Sequence, residues 1–245
     1  MRPLAAKELL TAWERGLDLP LPHKALVLLS AAFPELLDEK LSAVEVGRRD
    51  RLLMQLRAQL FGPEMALTVR CPKCGAKLES TVRVSEIQVE SEPFTSPQTL
   101  SVDGYRVIFR LPTSSDLIGL PDEPQSARLM VLRRCLVQAE LESAIERRDL
   151  VAEALPEHVI SAIAIAMSAA DPQADLQLSF DCPSCAHHWA DVFDIVSALW
   201  KEVHAWVERT VRDVHVLARA YGWGETEVLA LSPTRRQMYL ELSQQ

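Results

Sequence analysis

The chain has 245 residues, 48% of them hydrophobic, 24% charged and 6% aromatic, with 26 Lys and Arg against 34 Asp and Glu. This profile belongs to a soluble globular protein of one large or two ordinary domains, able to bury roughly 70% of its unfolded surface without disulfides. A formal charge of −8 repels a phosphate backbone, and the short basic clusters (Arg48, Arg49 and Arg51, then the pairs Arg133 and Arg134, Arg147 and Arg148, Arg235 and Arg236) have acids close by and read as solvated helix faces.

Residues 1–62 read as an N-terminal helical region. Glu8 and Glu14 arrive before any apolar core forms, which predicts no secretory leader. Leu9, Leu10 and Trp13 recur at helical spacing, and a break from Gly16 to Pro22 precedes a second segment, Lys24 to Ala32. A third helix is expected from Val46 to Leu60, with Leu52, Leu53, Leu56 and Leu60 on one face and Arg48, Arg49, Arg51 and Arg57 on the other. Phe61-Gly62-Pro63 ends it.

Residues 63–112 change period. Met65, Leu67 and Val69 alternate with polar or small residues up to Cys71, and the stretch from Leu78 to Val84 is again strand-like, so two strands flank a Cys-Pro-Lys-Cys-Gly turn. Glu86 to Pro97 reads as an exposed connector, and Asp103-Gly104 between two alternating runs signals a hairpin. Residues 113–174 form a helical insertion. Pro112-Thr-Ser-Ser-Asp offers N-caps, Ser126 to Glu146 carries the stripe Leu129, Leu132, Leu136 and Ala139, and Pro156 opens a helix from Glu157 to Ala169. The apolar run from Val159 to Ala170 falls short of the about 20 residues a membrane span needs.

Residues 175–195 repeat the strand-turn-strand unit. Leu176, Leu178 and Phe180 alternate toward Cys182-Pro-Ser-Cys185, and His187-His188-Trp189 and Val192 to Ile195 follow. Residues 196–245 are a C-terminal helical region: a long helix starting near Asp194 and ending at Tyr221-Gly222, a short one from Gly224, and a last one opened by Ser232-Pro233. The expected class is α+β, mainly helical, with a small antiparallel β zinc-ribbon-like module formed by the two Cys-x-x-Cys knuckles.

Cys71, Cys74, Cys182 and Cys185 make a complete four-thiolate set for tetrahedral zinc, two sulfurs from each tight turn. A closed set leaves no position for water, so the metal would be structural. Arg70, Lys73, Lys77, His187 and His188 stand beside it to offset the negative charge. The competing readings are disulfides, which a cytoplasmic protein disfavours; a redox Cys-x-x-Cys, which would occur once at a helix start; unliganded thiols; and replacement of one cysteine by His187 or His188. Cys135 stands apart on a helix and reads as a small buried hydrophobe rather than a reactive thiol.

No enzyme is expected. His204 and His215 share a helix face but lie about 16 Å apart at 1.5 Å per residue, and His23 and His158 sit near helix starts. No Gly-rich phosphate loop, Gly-x-Ser-x-Gly or His-Glu-x-x-His is present. The C-terminal residues Tyr221, Trp223, Arg235, Arg236 and Tyr239 have two readings, core packing or a partner-docking surface, because Tyr, Trp and Arg anchor interfaces.

Several stretches carry a family resemblance: Trp13-Glu-Arg-Gly-Leu, Arg49-Asp-Arg-Leu-Leu, the two Cys-Pro-x-Cys knuckles and Phe193-Asp-Ile with Trp200 and Glu202. The last runs from His215-x-Leu-Ala through Tyr221-Gly-Trp to Arg235-Arg-x-x-Tyr. Together they resemble the baseplate proteins of contractile-tailed phages, related to the hub-assembly proteins of T-even phages and found also in phage-tail-like contractile injection systems. The resemblance implies a non-enzymatic hub component or assembly chaperone, cytoplasmic or built into the particle, with baseplate, hub or spike proteins as partners. The alternative is a zinc-ribbon nucleic-acid-binding or transcription-related protein, against which the net charge and the missing basic, aromatic-bearing strand face speak.

Overall fold

Helical periodicity and strand alternation both carry through into the structure, a computed structural model that describes residues 1–89, 97–141 and 150–243. Most of the Glu86 to Pro97 connector, the end of the expected Ser126 to Glu146 helix and the pair Arg147 and Arg148 lie outside the described residues. In chain order come α1 (Ala6–Gly16), α2 (Leu21–Ala32), α3 (Asp38–Ser42), α4 (Val46–Phe61), β1 (Glu64–Arg70), β2 (Lys77–Arg83), α5 (Val84–Ile87), β3 (Gln98–Val102) and β4 (Tyr105–Phe109). They are followed by α6 (Ser114–Leu117), α7 (Pro124–Cys135), β5 (Leu136–Leu141), α8 (Glu157–Ala170), β6 (Gln177–Asp181), β7 (His188–Val192), α9 (Ile195–Tyr221), α10 (Glu225–Leu229) and α11 (Pro233–Leu242). The expected class holds: mainly helical, with small antiparallel sheets. No described helix is long and apolar enough to cross a membrane. Contacts gather the chain into two units, Met1–Leu37 with Ile195–Gln245, and Asp38–Asp194.

In the first unit, α1, α2, α10 and α11 pack against the long α9. Val196, Leu199, Val203, Val207, Thr210 and Leu217, spaced three, four or seven apart, are buried with Trp200 beside them, the stripe that an amphipathic helix lays on its neighbours. Trp200 fits because Gly16 leaves room: a Cβ at Gly16 would overlap the indole ring. Lys24 stands over the same ring, with Nζ 4.9 Å from its centroid. Trp13 Nε1 donates to His204 Nδ1 at 3.1 Å, which satisfies the indole N–H and gives His204 a packing role.

The second unit is built on the antiparallel sheet β3-β4-β5. Asp103 and Gly104 both take positive φ, 47° and 79°, the hairpin turn expected from that pair. Val107, Phe109, Leu132, Ala139, Leu155, Val159 and Ile163 form the core between sheet, α7 and α8. The expected helix to Glu146 stops at Cys135, where the chain turns into β5 and pairs with the open edge of β4. Leu129, Leu132, Leu136 and Ala139 still reach one core. Apolar residues spaced three or four apart fit a helix that becomes a strand as well as they fit one long helix, and ladder hydrogen bonds to β4 decide the matter.

The second correction concerns α4. Arg49 and Arg57, expected on a solvated face, are 5% and 3% exposed. Arg57 Nη1 donates to the carbonyls of Gly62 and Glu64 at 2.8 and 2.6 Å, tying the end of α4 to the start of β1. Arg49 pairs with Asp50 at 2.7 Å. Burial is the main influence on the Asp50 carboxyl and, against the pull of Arg49, pushes it up to about 6. An unfolded Asp titrates near 3.9. Between those values the native state holds the extra proton, so this group's contribution is complete below pH ~4 and is lost as pH rises through about 6. A carboxyl carbon titration by NMR is expected to find Asp50 midway near 6; a midpoint in the ordinary carboxylate range would refute the burial argument.

Candidate functional site

The two knuckles repeat one backbone pattern. In the first, β1 leads into Cys71, whose N–H donates to the Ala76 carbonyl at 2.9 Å while the Gly75 N–H returns to the Cys71 carbonyl at 2.9 Å. In the second, the Cys182 N–H donates to the His187 carbonyl at 2.9 Å and the Ala186 N–H to the Cys182 carbonyl at 2.9 Å. The flanking strands close each loop through the pairs Arg70 with Lys77 and Asp181 with His188. Each turn needs a left-handed residue after its second cysteine, Gly75 at φ 73° and Ala186 at φ 51°. Glycine takes that conformation freely, whereas alanine pays a steric cost. Ala186→Gly is therefore expected to stabilise the protein by about 0.5–1 kcal/mol, and Gly75→Ala to destabilise it by a similar amount. Denaturant unfolding of the two variants checks both signs.

These turns bring four sulfurs together from residues more than a hundred positions apart. All four Sγ atoms lie within 4.8 Å of one another, with Cys71 to Cys185 at 3.7 Å and Cys74 to Cys182 at 3.5 Å. Metal–sulfur bonds of about 2.3 Å in a tetrahedron separate the corners by about 3.8 Å. The donor set and its spacing therefore fit a metal ion, and the group could hold one. Cys71 and Cys182 are buried, Cys185 is partly covered and Cys74 is exposed.

Backbone amides prepare the sulfurs for negative charge. Desolvation opposes ionisation of Cys182, but hydrogen bonds from the Ser184 and Cys185 amides bring its thiol down to about 7. The His187 amide favours the Cys185 thiolate, yet desolvation and the three neighbouring sulfurs outweigh it and push that thiol up to about 12. Cys74 is raised as well, against the help of the Ala76 amide. Four sulfurs this close cannot all ionise without a cation among them.

Two of the flanking cations expected to offset the site, Lys77 and Arg70, are engaged nearby. Lys77 pairs with Glu79 at 2.6 Å and Arg70 reaches the Gly75 carbonyl at 3.5 Å. Neither His187 nor His188 belongs to the four-residue group. His187 stacks on Trp189 with centroids 6.0 Å apart, and His188 Nδ1 lies 3.0 Å from Asp181. Cys135 is fully buried, and desolvation, the largest influence, pushes its thiol up to about 12, consistent with an inert small hydrophobe.

The C-terminal candidates divide. Gly222, at φ 71°, ends α9 and folds Trp223 back so that its ring stacks on Tyr221 at 4.7 Å and meets Tyr239 edge-on at 4.8 Å. The Tyr221 hydroxyl donates to the Tyr239 carbonyl at 3.2 Å. The three rings thus pack together, with Tyr221 still 37% exposed. Arg235 is exposed, while Arg236 is buried and acts electrostatically on Asp213 of α9.

A charged cluster that sequence reasoning missed lies in the second unit. Arg110 makes a bidentate pair with Asp116 at 2.6 and 2.8 Å. Arg134 donates to the carbonyls of Asp116 and Ile118. Only the capping role of Asp116 had a local signal, in Thr113-Ser-Ser-Asp.

A family model described as T4 bacteriophage base plate protein matches residues 26–200, a range that includes both knuckles and ends before the Tyr221 to Tyr239 stretch. No curated protein and no solved structure matches the chain.

Proposed function

The chain belongs to the T4 bacteriophage base plate protein family, and from that premise we propose that it is a non-enzymatic hub component or assembly chaperone of a contractile phage tail or phage-tail-like injection particle. It works through contacts with baseplate, hub or spike proteins, formed in the cytoplasm and carried into the particle if the protein stays there. The family match over residues 26–200 carries this reading. The donor chemistry of the metal-competent cluster found among the described residues agrees with it, because four thiolates leave no open position for a reacting water. Cys71, Cys74, Cys182 and Cys185 would hold structural zinc, which supplies a rigid link between the two ribbons.

Tyr221, Trp223 and Tyr239 are the proposed docking residues, together with the exposed Arg235, one helical turn before Tyr239 on α11, and the buried Arg236. Copurification of the tagged chain from cells carrying its surrounding genes tests the role; recovery of no baseplate, hub or spike protein would count against it. Arg235→Glu with Tyr239→Ala separates docking from packing. Loss of partner with an intact fold supports docking, and loss of the fold removes it.

A further inference from the structure

The acids are unevenly placed along the chain. From Asp149 to Trp200 there are eight acidic residues and neither Lys nor Arg, so this stretch accounts for the whole formal charge of −8. A metal held by four thiolates would add a net charge of about −2 at its centre. Within this stretch, the ribbon β6-β7 combines acidic side chains with open backbone. The strand β7 pairs with β6 and, among the described residues, with no other strand. The bonds of Cys182 with His187 and of Phe193 with Leu176 set the alternation, so Trp189 and Asp191 turn their backbone groups toward β6. Those of His188, Ala190 and Val192 turn outward, a sheet edge that no further strand covers among the described residues, of the kind that accepts one.

The side chains on and next to that edge define the visitor. On the paired strand β6, Asp181 is 85% exposed and reaches across to His188 at 3.0 Å, and Val192 of β7 is 63% exposed. Asp191 is exposed, and its Oδ1 accepts the N–H of Val192 at 3.0 Å, occupying one outward amide. A cation that draws the Asp191 carboxylate away frees that amide for an incoming carbonyl. The other ribbon is equally open but carries Arg70, Lys77 and Arg83 against Glu64 and Glu79, with Lys73 in its turn. It would repel the same visitor.

We propose that the outer edge of β7 binds an extended segment of a protein partner in which Lys or Arg alternates with small or apolar residues, by strand addition. This gives the assembly role a partner chemistry and rests on that reading only for where the partner is found. The test uses the full-length, metal-retaining protein and the fluorescein-labelled peptide Lys-Thr-Lys-Val-Lys-Thr-Lys, read by anisotropy at two salt concentrations. The peptide is expected to bind, and its Glu-for-Lys counterpart and a version N-methylated at alternate backbone nitrogens are not. Asp181→Lys with Asp191→Lys should weaken binding at least tenfold. Asp18→Lys with Asp122→Lys, an equal change of net charge at exposed sites elsewhere, should change it less than twofold. If the first double variant loses metal, Asp191→Asn replaces it, with an expected weakening of about threefold. Equal binding of the N-methylated peptide, equal loss in the control variant, or no binding at all overturns the proposal. Copurification with baseplate proteins is a separate readout and can survive that failure.

Discussion

Chelation of protein purified with zinc is expected to remove about one metal per chain and to release both ribbons together. Structural zinc sites of this type have apparent binding energies of about 10–16 kcal/mol, on the scale of a whole domain's stability. The link between Cys74 and Cys182 closes a loop of about 100 residues, worth up to ~4–5 kcal/mol in chain entropy. Two-stranded ribbons are marginal alone, and in these one face is exposed and the other only half-buried along most of its length. The sheet β3-β4-β5 has its own core with α7 and α8 and is expected to persist. Hydrogen exchange should therefore speed up by orders of magnitude in β1, β2, β6 and β7 while the β4 amides stay protected. Cys71→Ser should reproduce this pattern, since it removes a buried ligand from the site. Cys135→Ser, which lies outside the four-sulfur group, should leave metal content unchanged whatever it costs in packing. Ribbon amides that stay protected after complete chelation would show that the sulfurs do not hold the ribbons.

The parts of this molecule that could be read along the chain are those with local causes. Cys-Pro-x-Cys between alternating runs signals a knuckle because one tight turn and two strands are all it requires, and both appear where expected. Asp103-Gly104 and Gly222 are legible for the same reason: each supplies a positive φ that few other residues take easily. Ala186 has the same conformation as Gly75 but no such signal, so the second turn is recognisable only by its cysteines. The parts that could not be read depend on distant partners. The switch from α7 to β5 at Cys135 needs the open edge of β4. Arg49 and Arg57 look like surface cations until Asp50 and the carbonyls of Gly62 and Glu64 close around them. The C-terminal aromatics are ambiguous for a physical reason as well. Three rings that pack on one another while leaving Tyr221 37% exposed fit the packing reading and the docking reading alike.

The most damaging substitution by a single methyl group is expected at Gly47, in the first turn of α4. Two of that turn's free amides are satisfied from far along the chain: Val46 donates to the Pro112 carbonyl at 3.0 Å and Gly47 to Asp171 Oδ2 at 2.8 Å. Asp171, the residue that ends α8, thus caps α4 where its own flanking residue, Glu45, makes no capping side-chain bond. The carboxylate is 6% exposed, and burial raises its pKa despite the Gly47 amide. It has little freedom to move away. A Cβ on Gly47 would overlap that carboxylate, so Gly47→Ala forces out either the cap or the helix start. Helix propensity alone favours alanine by about 1 kcal/mol, and the clash is expected to reverse this into a loss of about 2–4 kcal/mol. The sign depends on Asp171, which a double-mutant cycle tests directly. Asp171→Ala alone should cost about 1–3 kcal/mol through the lost cap and the uncovered amide. In that background Gly47→Ala should become neutral or stabilising, giving a coupling of at least ~2 kcal/mol in urea unfolding. Additive costs would place the strain of Gly47→Ala somewhere other than the carboxylate.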